Sequence, residues 1–115
     1  MPTSFLPGDV ILVRFPFTDL SATKLRPAVV LATHGADLVI VGIFSIRPHA
    51  SRPTWIALSD PDPAFPQTGL KVSSVIKPER IAVIEQSVVV RKLGSLSPAQ
   101  LDQLKSALRR ALNLE

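Results

Sequence analysis

The sequence predicts a small, mainly β domain of the barrel type that ends in one α-helix, and three observations carry that reading. Short apolar runs rich in Val and Ile recur along the chain as far as Leu93, each bounded by turn residues. The 115 residues include 11 prolines against 5 glycines, a composition of short elements broken by rigid turns. After Gly94 the apolar spacing changes to a helical period. At 46% hydrophobic and 19% charged residues the chain has the composition of a folded domain, and its length suits a single core.

Val10–Phe15 and Ala28–Ala32 read as the first two strands, joined by the loop Pro16–Leu25, which is long for a hairpin and so a place to look for function. Leu38–Ser45 (LVIVGIFS) is the third strand, after a turn at Gly35-Ala36-Asp37, and Gly42 within it predicts a bulge or a close backbone approach. Trp55–Leu58 is a fourth strand. Ser59–Pro66 (SDPDPAFP) contains three prolines and is excluded from regular structure. Gly69–Ile76 begins a fifth strand, and Arg80–Ile84 and Ser87–Leu93 follow as separate short runs around Glu85-Gln86.

The helix has the strongest local signature. Ser97 is placed as N-cap, Pro98 at the first helical position and Gln100 to complete a capping box, with Leu96 and Leu101 spaced as a hydrophobic staple. Leu101, Leu104, Leu108, Ala111 and Leu112 share one face, while Lys105, Arg109 and Arg110 lie mostly off it. That face either docks on the barrel, the first reading, or contributes to a dimer contact. The expected layout is one domain over residues 1–115, with the barrel at about 8–94 and the helix at about 97–113.

Several chemistries lack support. With no cysteine the chain has no disulfide, no thiolate nucleophile and no cysteine-bound zinc. His34 and His49 have no metal-binding spacing, and Asp60 and Asp62 read as turn formers in a proline-rich loop. There is no Gly-x-Ser-x-Gly elbow and no glycine-rich phosphate loop. No metal and no cofactor are expected. No signal-like segment and no apolar run approaching ~18 residues is present, so a cytoplasmic protein with no membrane contact is expected. The net charge of +4, without a basic tail, fits a polyanionic ligand or an acidic partner. Aromatics at 5%, with no Tyr and one Trp, argue against a broad base-stacking platform.

Arg26-Pro27 stands out. Proline disfavours the helical region for its predecessor, so Arg26 should be extended where the second strand begins. A guanidinium fixed there can grip a phosphate through two parallel hydrogen bonds, whereas the plain alternative is a solvated arginine at a strand end.

The blocks GDVILV, FPFTDLS, KLRPAVVLA and GLKVSSVIKPERIAV, in this order, resemble the MazF/PemK-type toxins of bacterial type II toxin–antitoxin systems, from Gly8 through the C-terminal segment. The resemblance implies an SH3-like barrel of the MazF/CcdB kind and a homodimer. It also implies metal-independent, sequence-dependent cleavage of single-stranded RNA, neutralised by an acidic antitoxin. RNA brings its own nucleophile, the 2′-hydroxyl, so a protein need only align it, move protons and stabilise the charge at phosphorus.

Arg26 is then the first catalytic candidate. The family's second catalytic residue is a threonine at the end of the third strand; aligning Ile43–Arg47 puts Ser45 there, which keeps the hydroxyl and loses the methyl. The other register puts Phe44 there and leaves no hydroxyl. Lys24, Arg47 and Arg52 are candidate phosphate contacts. Phe17 could stack on a base, although Phe15 and Phe17 alternate and one should enter the core. Trp55 is a further stacking candidate. Asp19, with Thr18, shapes its loop and lies on the expected RNA path. Ser73, Ser74 and Lys77 fall where the family carries RNA-contacting polar residues. His49 is either an exposed loop residue or a proton carrier. Two competing functions remain: non-catalytic inhibition of DNA gyrase, as in the related CcdB-type proteins, and a degenerate member that binds RNA or antitoxin without cutting.

Overall fold

The computed structural model describes residues 4–14, 24–45 and 51–114. Six strands, β1 (Asp9–Arg14), β2 (Leu25–His34), β3 (Asp37–Ser45), β4 (Ile56–Leu58), β5 (Ser74–Glu85) and β6 (Val89–Ser95), form one sheet in the order β4-β5-β3-β2-β1-β6. Each adjacent pair is antiparallel. The fold is mainly β with a C-terminal helix, α1 (Pro98–Ala111), as the sequence predicts, and the ladder of this SH3-like barrel is open between β4 and β6.

Both faces of the central strands are buried, which explains their near-continuous apolar sequences. Val10, Val29, Val41, Ile43 and Ile76 meet Leu104 and Ala107 of α1 and Phe65 in one cluster. Ile11, Val13, Ala28, Val30, Ile40 and Ile84 form the other. The helix therefore docks on the sheet, the first of the two readings above.

The helix start is built as its sequence specifies. The Ser97 hydroxyl accepts from the Gln100 amide (3.2 Å), and the Gln100 side chain accepts from the Ser97 amide (2.8 Å). Ser97→Ala removes one half of this reciprocal pair and is expected to lower stability by about 1 kcal/mol in urea denaturation.

Two glycines make specific turns. Gly35, at φ +61°, opens the two-residue connection between β2 and β3, whose flanking residues His34 and Asp37 pair. Asp37 thus begins β3 rather than ending the turn. Gly42 marks the expected bulge: β3 pairs Val41 with Ile81 and then Ile43 with Ile76. The single residue Gly42 consequently faces four on β5, Lys77-Pro78-Glu79-Arg80.

This arrangement corrects the reading of Gly69–Ile76 and Arg80–Ile84 as separate strands. They belong to one strand, Ser74–Glu85, whose pairing is interrupted where Pro78 has no N–H to donate. Its start is also later than expected. Pro66–Thr68 is a short 3₁₀ turn that ends at Gly69 in the left-handed region, so the backbone becomes a regular strand only at Ser74. The last run likewise opens with a 3₁₀ turn, Gln86–Val88, before β6. In the proline-rich segment the Asp62 carboxylate accepts from the Ala64 amide (2.8 Å), the turn-forming role expected of it.

Candidate functional site

A cleft of about 470 Å³ opens where the ends of β2 and β3 meet the segment preceding β5 and the middle of β6. Arg26 is extended as the second residue of β2 and half-buried, the conformation imposed by Pro27. Ser45 ends β3, exposed, and pairs with Ser74 at the start of β5. Arg26, Ser45 and Ser74 all line the cleft, so the two catalytic candidates come together although they lie on different strands. Phe44 lines it as well, and the Arg26 guanidinium carbon stands 6.0 Å from the centre of its ring.

Lys71 and Arg91 complete the charge of this cleft, and neither was singled out from sequence. Lys71 lies inside the block GLKVSSV and was legible as a cation near Ser73. Arg91 reaches the cleft because β6 pairs with β1 and sets it opposite Leu12, a long-range pairing with no local signal. Among the described residues lining the cleft there are three cations and no carboxylate, an arrangement that favours a bound anion.

A second, smaller pocket of about 150 Å³ is lined by Arg52, Trp55, Lys77, Glu79 and Arg80. The Lys77 ammonium stands 4.5 Å from the Phe44 ring centre and 4.4 Å from that of Trp55, and the Arg52 guanidinium lies 5.8 Å from Trp55. Glu79 accepts from the Thr54 hydroxyl and from the Trp55 indole N–H (3.1 Å). Burial pushes the Glu79 carboxyl up, but the hydrogen bonds from Thr54, the backbone and Trp55, with the Arg52 charge, outweigh it and hold the group below its ordinary value. Its contacts are therefore kept above the ordinary glutamate range and released only as pH falls through that lowered value.

The remaining candidates fall into four groups. Arg52 and Lys77 line the second pocket. Lys24 is exposed immediately before β2. The Ser73 hydroxyl accepts from the Asp60 amide (2.8 Å), and the buried Ser74 hydroxyl donates to the Val72 carbonyl (2.8 Å), so both tie down the segment before β5. Phe17, Asp19 and Arg47 lie outside the described residues, as do Phe15, Thr18 and His49. No group of three or more His, Asp or Glu side chains is gathered among the described residues. No helix among them is long and apolar enough to cross a membrane.

The fold is thus one antiparallel sheet with a docked helix and, among the described residues, a cleft lined by three cations and no carboxylate. The chain belongs to the family of PemK-like, MazF-like toxins of type II toxin–antitoxin systems, whose profile matches residues 6–112. No curated protein matches it in sequence. Among solved structures it is similar to an endoribonuclease from a mycobacterial species in complex with its cognate antitoxin, at 24% identity and a TM-score of 0.73, over 97% of this chain and 98% of that one. It is also similar to the Mycobacterium tuberculosis toxin MazF-mt6, at 18% identity and a TM-score of 0.70, over 93% and 98% of the two chains. A MazE–MazF structure from Deinococcus radiodurans aligns at 16% identity and a TM-score of 0.68, over 95% of each chain.

Proposed function

We propose that this chain is a toxin endoribonuclease that cuts single-stranded RNA in a sequence-dependent, metal-independent way and is neutralised by an acidic antitoxin. The observation that carries the reading is the cleft in which Arg26 and Ser45 stand together among cations. Membership of the toxin family supports it, as do structural neighbours that are endoribonucleases, one of them held by its antitoxin.

In this mechanism the scissile phosphate sits against Arg26, whose planar fork spans two phosphate oxygens. The Ser45 hydroxyl donates to an oxygen and fixes the orientation of the group. The 2′-oxygen bonds to phosphorus as the bond to the 5′-oxygen breaks; the 2′-proton leaves to water and the 5′-oxygen gains one. Charge grows on the phosphate oxygens during this exchange, and the guanidinium is already in place to stabilise it. Lys71 and Arg91 hold the neighbouring backbone, positioning the strand without reading its sequence.

The family's homodimer and cytoplasmic location belong to the same proposal. Purified protein is expected to cut single-stranded RNA in excess EDTA, leaving 2′,3′-cyclic phosphate and 5′-hydroxyl ends, and to spare RNA carrying 2′-O-methyl groups. Strict dependence on magnesium, or products with 5′-phosphates, would overturn the mechanism.

A further inference from the structure

The Arg52–Trp55–Glu79 pocket is unused by the chemistry above, yet it is connected to the cleft. From Arg26 a ladder of alternating cations and rings runs outward through Phe44, Lys77 and Trp55 to Arg52, with spacings of 6.0, 4.5, 4.4 and 5.8 Å. We propose that this pocket receives one unstacked base of the bound RNA and selects bases that carry an exocyclic amino group over uracil. The proposal rests on the reading that the cleft holds RNA.

Three observations carry it. The first is the bulge: by setting four β5 residues against Gly42, the sheet presents Lys77, Glu79 and Arg80 to one pocket instead of spending them in a regular ladder. Bulges commonly re-aim side chains beside functional sites. The second is size. A cavity of about 150 Å³ is on the scale of one nucleobase and too small for a nucleotide with its sugar and phosphate.

The third is the mixture of polar groups. A phosphate subsite would carry cations alone, and here a carboxylate faces the same space as Arg52, Lys77 and Arg80. Glu79 is fixed by Thr54 and Trp55 and offers only acceptors, so it takes N–H groups; the surrounding cations offer only donors, so they take ring nitrogens and carbonyl oxygens. Adenine, cytosine and guanine present an amino donor beside an acceptor. Uracil presents carbonyls on both sides of a single N–H and leaves Glu79 with a repelling oxygen next to it. Single-stranded RNA is read in this manner, through the edges of unstacked bases.

Trp55 is the chain's one tryptophan, so its fluorescence reports on this pocket alone. The test titrates the protein with 2′-O-methyl oligomers of A, C and U, which bind without being cut, and follows that emission. At least one of the A and C oligomers is expected to bind about tenfold more tightly than the U oligomer, within the range of one good base contact. In Glu79→Gln that preference should shrink to within about twofold, with A and C binding weakened and U binding unchanged or strengthened as the repulsion is relieved. Trp55→Phe, followed by polarisation of labelled oligomers, should weaken the same preference by freeing the Glu79 carboxylate. Equal affinity for A, C and U, a preference that survives Glu79→Gln, or a uniform loss of affinity for every oligomer would each refute base selection here. Because none of these readouts needs cleavage, failure of the nuclease reading shows separately, as inert natural RNA.

Discussion

Arg26→Ala is expected to slow RNA cleavage by about 10²–10³-fold, the loss seen when one preorganised donor to a developing oxyanion is removed. The argument is geometric. Among the described residues, Arg26 is the one cation lining the main cleft whose backbone is fixed by a following proline, and its guanidinium is further located against the Phe44 ring. Arg26→Lys should recover little, because an ammonium keeps the charge and loses the fork. Ser45→Ala should cost less, the hydroxyl acting on orientation only, and Ser45→Thr should preserve or raise activity by narrowing the rotamers. Phe44→Thr, the register control, should not help. Rates on a defined oligonucleotide, with circular dichroism to show the fold intact, decide the matter: parental cleavage by Arg26→Ala would mean that the site is elsewhere.

Gly94→Ala is expected to be severely destabilising for the addition of one methyl group, lowering stability by about 3 kcal/mol or more in denaturant melts, at or beyond the upper end of ordinary overpacking. A Cβ at Gly94 would stand 2.2 Å from the Gln67 carbonyl oxygen and 2.6 Å from the Thr68 carbonyl carbon. These are backbone atoms, which cannot rotate aside. The complementary contact lies directly opposite, where a Cβ on Gly69 would stand 2.0 Å from the Leu93 oxygen. The two glycines let the 3₁₀ turn press against β6, and that contact sets the position of Leu70 and Lys71 in the cleft. Residual folded protein should therefore also cut RNA poorly. A variant melting with the parent would show that the two backbones are not in fact so close.

The start of the helix was legible because its signals are local: Ser97, Pro98 and Gln100 specify it within four residues, and all three act as expected. The end was not, since Leu112 caps the helix and is exposed, and Ala107 is buried in its place. The central strands were legible for a related reason, since burial on both faces leaves uninterrupted Val and Ile. Gly42 announced a bulge, but sequence could not say what would face it. The answer, Lys77 to Arg80, depends on the pairing of β3 with β5. The same limit governed the site. Arg26 and Ser45 were found through a proline and a family pattern. Arg91 needed the β1–β6 ladder, and Glu79 needed the approach of Thr54 and Trp55 from the turn before β4. Neither has a neighbour in sequence that betrays its role.

The open seam of the sheet bears on how this protein stays in solution. Unpaired edges invite strands of other molecules to add to them. At one edge β4 offers only three residues, too few to template a partner. At the other, β6 meets β1 through two register shifts, which break the straight row of amides an incoming strand would need. That edge is also guarded by charge, because Arg91 and Lys92 interrupt the adhesive run Val88-Val89-Val90, and Lys92 is anchored to Asp9 at 3.2 Å. Arg91 thus stands where two demands meet, lining the cleft proposed to hold RNA on one side and placing a charge against aggregation along the other. Replacing this charge by an apolar residue would lengthen the apolar run along the edge, whatever became of the activity.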